Sequence, residues 1–338
     1  MIKKTRASYV FCYLLISLHS TLAAKLGSYN VDSNSISVSG LSAGGFMSVQ
    51  MHVAYSKMFM GVGVLAGGPY WCAIDNAVTA TTTCMTSPAF INVKYLQQIT
   101  TNTALTGFID PVSNMRNDRV FLFSGMADTV VDKGVVKATE DYYSAYVNPE
   151  DVMTVYSVNS EHGFPTVDQG GTCDELSKPG FINKCGYDTA FVLLDHIYGN
   201  LQQHVYPTDT PIQGSILEFD QTEFFGIGFG DIGLDDVGYV FIPDSCADLT
   251  KSCRLHLSLH GCEQGFEFIK DDFIKQSGYN EVAALNDIIV VYPQVKKNLL
   301  TNPNGCFDWW GYTGSEYASN IGDQMVALKK MIEHVANL

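Results

Sequence analysis

Gly40-Leu41-Ser42-Ala43-Gly44 lies between two stretches of opposite character. Before it, Ser35-Ile36-Ser37-Val38-Ser39 alternates, which predicts a β-strand with its apolar residues on one face. After it, Gly45-Phe46-Met47-Ser48-Val49-Gln50-Met51-His52-Val53 reads as the start of an apolar helix. Strand, tight glycine-bounded turn and helix together make G-x-S-x-G a nucleophile elbow. The sharp turn lifts the serine hydroxyl clear of the backbone, and glycines on both sides avoid side-chain clashes. Without that setting the pattern says little in a chain with 30 glycines.

An activated serine needs a general base, a group that orients the base, and donors for the oxyanion. The strand Arg119–Phe123 runs into Ser124-Gly125-Met126-Ala127-Asp128, which puts a carboxylate just past a buried strand. Asp128 is therefore the expected orienting group, with Asp132, one turn further on, as its rival. Met153–Val158 reads as the next strand and leads into Asn159-Ser160-Glu161-His162-Gly163-Phe164-Pro165, so His162 sits in a Gly/Pro-containing loop, where function concentrates. His52, His196, His204, His256 and His334 lie within or beside helix- or strand-like patterns and are expected to be structural or surface residues. The order Ser42, Asp128, His162 is that of a serine hydrolase triad.

Leu255–Leu259 is a further strand and ends in His260-Gly261-Cys262-Glu263-Gln264. A strand ending in His-Gly commonly supplies an oxyanion donor from the backbone just beyond the glycine. The expected donors are the N–H groups of Ala43 and Cys262, and His260 shapes the loop.

The N-terminus reads Lys3, Lys4 and Arg6, then an apolar run from about Tyr9 to Leu18, then small residues to Ala24. This is the pattern of a secretory signal peptide over residues 1–24, cut near Ala23 or Ala24. Its apolar core is shorter than the ~20 residues that span a bilayer, so stable membrane insertion is not expected. The formal charge of −15 drops by three to −18 without those cations. Such acidity argues against a nucleic-acid partner. Cys12 leaves with the leader; Cys72, Cys84, Cys173, Cys185, Cys246, Cys253, Cys262 and Cys306 remain. An even count in an exported chain argues for disulfides, and no C-x-x-C pair suggests a metal site. Proximity favours Cys72–Cys84, Cys173–Cys185 and Cys246–Cys253, leaving Cys262–Cys306.

No internal repeat or low-complexity linker divides residues 25–338, so one domain is expected. Gly238–Ile242 and Ile288–Tyr292 add strands, and alternation with helical runs predicts an α/β fold with a mainly parallel sheet. The last helix, about 322–336, carries Met325, Leu328, Ile332 and Val335 on one stripe. A polar stretch, 198–215, reads as a surface connection.

Gly40–Gly45, Leu259-His260-Gly261-Cys262-Glu263-Gln264, Val290-Val291-Tyr292-Pro293-Gln294 and Cys306-Phe307-Asp308-Trp309-Trp310 together resemble the catalytic domain of poly(3-hydroxybutyrate) depolymerases and related secreted esterases. Gly238–Pro243 resembles that family's early strand, and the likeness covers nearly all of the mature chain. One departure is large. In the usual family order the His-Gly-Cys strand precedes the serine elbow, whereas here His260 follows Ser42 by 218 residues. The final helix resembles the one that ordinarily leads into the elbow strand. Both features imply a circularly permuted α/β-hydrolase fold, as in the single-domain fungal-type members, with 198–215 joining what are elsewhere the chain ends.

The resemblance implies a secreted serine esterase acting on short-chain polyhydroxyalkanoate or its oligomers through an acyl-enzyme, with no metal or organic cofactor. The alternatives are a secreted esterase for feruloyl or small acyl esters, or a non-catalytic hydrolase fold used for binding. Tyr70, Trp71, Trp309 and Trp310 are candidate polymer-contacting aromatics, with core packing as the competing role.

Overall fold

Alternation at 35–39 marks the middle of a longer strand, β1 (Val31–Leu41). It is followed in chain order by β2 (Gly61–Leu65), β3 (Arg119–Phe123) and β4 (Val152–Val155). Three short strands, β5 (Phe164–Thr166), β6 (Gly171–Thr172) and β7 (Ile182–Lys184), form a small separate sheet. Then come β8 (Gly214–Asp220), β9 (Val237–Pro243), β10 (Cys253–Leu259) and β11 (Ile288–Tyr292). The computed structural model describes residues 23–206, 211–225 and 232–338; the expected leader over 1–22 lies outside them.

The large sheet has the order β4-β3-β2-β1-β10-β11-β9-β8. All neighbours are parallel except at β9, which runs antiparallel to both β11 and β8. The first half of the sequence therefore builds outward from β1, the second half outward from β10, and the two halves meet at the centre. Near the chain ends, Tyr29 N–H donates to Val335 O at 2.8 Å and His334 Nε2 donates to Leu26 O at 2.7 Å. Joining these ends and opening the chain within 198–215 would restore the His-Gly-Cys strand to its place before the elbow. The fold is a circularly permuted α/β hydrolase.

Apolar residues on both sheet faces are buried, as parallel sheets require. On one face Val62, Val120 and Leu257 pack with helix Ala43–Ala54 and with Met325, Leu328, Ile332 and Val335 of helix Asp323–Ala336. On the other, Phe121 and Val290 pack with helices Thr189–Tyr198 and Tyr279–Asn286. At the sheet centre Ser37 is in register with His256. Ser37 Oγ lies 2.7 Å from His256 Nδ1 and Ser39 Oγ 2.7 Å from its Nε2. Both ring nitrogens are thus satisfied inside the core, so His256 is structural, as expected.

All four disulfides pair as proximity suggested. Two elements differ from expectation. The strand expected over 153–158 ends at Val155. Beyond it the backbone turns to serve the Asp128 loop, accepting Met126 N–H on Val158 O and Ala127 N–H on Ser160 O. The polar stretch 198–215 gives way at Gly214 to β8, an edge strand with Leu217 exposed and Phe219 buried. Its mixed burial blurs the alternation that would have marked it.

Candidate active site

β1 ends at Leu41 and the helix begins at Ala43, so Ser42 alone makes the turn, at φ 56° and ψ −120°. This conformation is costly for a residue with a side chain, and such strain gathers at functional sites. Ser42 N–H donates to Leu65 O on β2, and Ser42 O accepts Phe46 N–H. The flanking glycines have a steric cause: a Cβ on Gly40 would lie 2.4 Å from Gly44 O, and one on Gly44 would lie 2.2 Å from Leu259 O. The elbow is pressed against the end of β10.

Asp128 follows β3. Its Oδ1 accepts Val130 N–H and Val131 N–H, and its Oδ2 lies 2.9 Å from His162 Nδ1. That contact leaves Nε2 as the ring nitrogen open to the cavity beside it. Both side chains are almost fully buried. Asp132, the rival, instead caps helix Lys133–Tyr143 by accepting Gly134 N–H at 2.7 Å. Ser42 and His162 open into one cavity of about 440 Å³, walled also by Phe181, Cys262, Trp309 and Trp310. No hydrogen bond joins Ser42 Oγ to His162, both of which line this cavity; such contacts often tighten only in the substrate complex.

Gly261 N–H donates to Gln264 Oε1, Glu263 N–H to Asn304 O and Gln264 N–H to Gly261 O. The amides of Ala43 and Cys262 have no acceptor among the described residues, and both residues stand next to cavity-lining atoms of Ser42 and Gly261. Two amides without an acceptor beside a serine are what an oxyanion hole requires. The Cys262–Cys306 bridge, Cα atoms 4.3 Å apart, ties one of them to the segment carrying Trp309 and Trp310.

The aromatics divide. Trp309 is 5% exposed and stacks on Phe46 with ring centroids 4.0 Å apart, forming a wall of the cavity instead of an exposed surface. Trp310 is part-exposed on the same cavity. Tyr70 is 2% exposed, and its hydroxyl donates to Ala318 O. With Trp71 it lines a different groove beside Phe108, apart from the cavity of Ser42; for Tyr70 the burial matches the competing core-packing role. Nothing local in Tyr70-Trp71 signals that the chain carries them to another surface.

The same depolymerase resemblance now has wider support. No protein-family model matches the chain. A poly(3-hydroxybutyrate) depolymerase of Delftia acidovorans is 39% identical over 326 residues, covering 95% of this chain and 63% of the relative. The chain thus spans under two thirds of that relative's length. A polyhydroxybutyrate depolymerase of Talaromyces funiculosus is 36% identical over 334 residues, covering 93% of both chains. The chain belongs to the poly(3-hydroxybutyrate) depolymerase family. A crystal structure of the depolymerase of Penicillium funiculosum superposes with TM-score 0.85 at 33% identity, covering 93% of this chain and 99% of that one. A second structure, of a depolymerase complexed with an R3HB trimer, matches equally well.

In this depolymerase-family chain several supporting residues escaped the sequence reading. Glu161 Oε1 accepts Thr129 N–H, Thr129 Oγ1–H and His162 N–H, so one carboxylate fastens the loops of Asp128 and His162 together. Asn183 Nδ2 donates to Glu161 O. Asp308 accepts the N–H groups of Trp310, Gly311, Tyr312 and Thr313, fixing the turn that presents Trp310. Burial pushes the Asp308 carboxyl above its ordinary range, and the hydrogen bonds from Thr313, Gly311 and Tyr312 oppose that shift. The adjacency of Glu161 to His162 and the closeness of Asp308 to Trp310 were the available signals; Asn183 reaches Glu161 from 22 residues away, which only the fold reveals. Among the described residues, no group of three or more His, Cys, Asp or Glu side chains could hold a metal ion, and no helix is long and apolar enough to cross a membrane.

Proposed function

We propose that this protein hydrolyses poly(3-hydroxybutyrate) and its oligomers through an acyl-enzyme on Ser42. The carrying observation is the 2.9 Å contact between His162 Nδ1 and Asp128 Oδ2 at the wall of the cavity into which Ser42 opens. His162 Nε2 takes the Ser42 proton as Oγ attacks the ester carbonyl, and Asp128 holds the imidazole in the tautomer with Nδ1–H and stabilises the imidazolium. The tetrahedral oxyanion rests on the N–H groups of Ala43 and Cys262. His162 then returns the proton to the leaving alkoxide, which departs as a hydroxyl-ended chain. Water, deprotonated by His162, releases the acyl group as a carboxylic acid and restores Ser42.

The relatives named above supply the substrate class, and the cavity suits it. A neutral polyester carries no charge to pair, and the walls are largely apolar around Leu41, Phe181 and Trp309. Attachment to solid polymer would use the face around the cavity, where Trp310 is part-exposed and Leu176, Leu299 and Leu300 are exposed. Four disulfides and the leader pattern support export. Ala24 forms a bridge with Phe219 of β8, so cleavage before Ala24 keeps that contact in the mature protein.

The test is release of 3-hydroxybutyrate, as monomer or oligomer, from polymer suspension and from soluble oligomers. Release by wild type and none by Ser42→Ala supports the reading. An enzyme active on small acyl esters but inert on both hydroxybutyrate substrates overturns it.

A further inference from the structure

His260 is fully buried just beyond β10, and neither the triad nor the oxyanion donors include it. Its surroundings fix its protonation. Gly261 O lies 2.7 Å from Nδ1, and a carbonyl can only accept, so Nδ1 carries a proton and donates it. Val295 N–H donates to Nε2 at 3.3 Å, so Nε2 is the bare, accepting nitrogen. The ring is a neutral imidazole with one assigned tautomer. Phe307 packs on it at 4.9 Å between centroids, which holds the ring plane.

The carbonyl that His260 grips belongs to the peptide between Gly261 and Cys262. In a planar trans peptide the C=O and N–H point in opposite directions. Fixing the Gly261 carbonyl toward His260 therefore aims the Cys262 N–H the other way. Gln264 holds the same loop from two more points. Its own N–H also donates to Gly261 O at 3.3 Å, and its Oε1 accepts Gly261 N–H at 2.7 Å. Its Nε2 donates to Gly180 O and Phe181 O, anchoring the amide across the cavity wall. Both polar backbone atoms of Gly261 are thus engaged, while the Cys262 N–H has no acceptor among the described residues.

We propose that His260 and Gln264 are positioning residues that preset the Gly261–Cys262 peptide, so that the Cys262 N–H meets the oxyanion without reorganising. This rests on the proposed acyl-enzyme mechanism on Ser42, in which the Cys262 N–H is an oxyanion donor. Such a donor is worth about 10²–10³ in kcat, and a displacement near 1 Å costs about 10²-fold. A role of this kind acts on the transition state, so its loss lowers kcat and leaves KM in place.

Two substitutions separate positioning from packing. In His260→Asn the side-chain amide nitrogen stands near the position of Nδ1 and can still donate to Gly261 O, while the contact to Val295 is lost. In His260→Gln the amide reaches toward Nε2, where its oxygen can accept Val295 N–H, while the donor to Gly261 O is lost. The expected result on a soluble butyrate ester is kcat within about 5-fold of wild type for His260→Asn. For His260→Gln we expect a fall of at least about 10-fold at unchanged KM. The inhibition constant of a boronic-acid transition-state mimic should weaken in His260→Gln by a similar factor. Equal losses in the two variants, the reverse order, or losses that fall on KM overturn the proposal. If His260→Gln does not fold, Gln264→Met, which removes the acceptor for Gly261 N–H, takes its place. A kcat loss at unchanged KM supports the proposal, and wild-type kcat overturns it. Labelling of wild-type Ser42 by a fluorophosphonate distinguishes this failure from failure of the underlying reading, in which Ser42 would not react.

Discussion

Gly44 lies so close beneath Leu259 that a single added methyl would sit 2.2 Å from the Leu259 carbonyl oxygen. The contact joins the helix of the elbow to the strand that leads into the Cys262 loop, two pieces more than 200 residues apart in the chain. The obstructing atoms are backbone, at the centre of the sheet, and cannot swing aside. Gly44→Ala is therefore expected to lower unfolding free energy by about 1–3 kcal/mol, as overpacking does. It should also lower kcat, since Ser42 and the Cys262 amide would be forced apart. Denaturant unfolding and ester turnover on the same preparation check this; an unchanged kcat would show that the elbow adapts.

The two candidate carboxylates in the loop after β3 should separate cleanly. Asp128→Asn keeps the side chain's shape but removes the acceptor that selects the His162 tautomer, and kcat should fall by about 10²–10⁴. Asp132→Ala removes a helix cap and should cost about 1 kcal/mol of stability with kcat nearly intact. Steady-state kinetics and thermal unfolding of both variants decide the matter.

The elbow, the Asp128 loop and the His162 loop were legible because each follows a strand and ends in a short run with its own turn chemistry. The disulfide pairs were legible because three of them close short loops. The permutation was visible only through motif order set against a family resemblance. What stayed hidden depends on distance across the fold. Tyr70 and Trp71 look like Trp309 and Trp310 in the sequence, yet Tyr70 bonds to Ala318 and Trp309 stacks on Phe46. Glu161, Gln264 and Asp308 are polar residues in loops, and their buried hydrogen bonds leave no periodic trace.

Cys306→Ser should reduce both stability and turnover. The bridge to Cys262 closes a loop of 44 residues, and losing such a crosslink typically costs 2–5 kcal/mol or about that range. It also frees the loop bearing the Cys262 amide, for which about a 10- to 10²-fold loss of kcat is expected. The double variant Cys262→Ser with Cys306→Ser should resemble the single one. Wild-type kcat in a measurably destabilised variant would separate the crosslink from the oxyanion loop.

His256 gives a pH signature. Burial lowers its folded-state pKa to about 3, whereas the unfolded chain titrates near ~6.5. Below that value the unfolded state binds a proton that the native core refuses. The stability contribution is thus complete above about pH 6.5 and is lost as pH falls toward the folded value, by up to about 1.4 kcal/mol per pH unit. Asp188, Asp235, Glu281 and Asp308 have raised pKa values and act in the opposite sense on acidification. The readout is therefore a difference. Between pH 6 and pH 5, unfolding free energy in wild type should fall more steeply than in His256→Asn by most of one proton's worth, about 1.2 kcal/mol. Parallel slopes would mean that His256 is protonated in the folded protein.

Trp310 should distinguish polymer from small substrate. It is part-exposed on the serine's cavity, and its turn is fixed by Asp308, so the ring is presented at little entropic cost. Trp71 is also part-exposed but lines a separate groove beside Phe108, which makes it a matched control for a lost surface tryptophan. A neutral polyester offers methyl and methylene groups and ester dipoles, for which an aromatic face is a better partner than the acidic side chains of this chain. Trp310→Ala should therefore depress hydrolysis of solid polymer by about 10-fold or more, an effect on the scale of one aromatic anchor. Hydrolysis of a short soluble ester, whose reacting end reaches only Ser42 and the oxyanion donors, should change by no more than about 3-fold. Trp71→Ala should leave both within about 2-fold of wild type if polymer is held only at the cavity. Turbidity loss of a polymer suspension, measured beside soluble-ester turnover, gives the ratio. Equal losses on both substrates in Trp310→Ala would make Trp310 part of the cavity's frame, and a polymer-selective loss in Trp71→Ala would place a second contact in the groove of Tyr70 and Phe108.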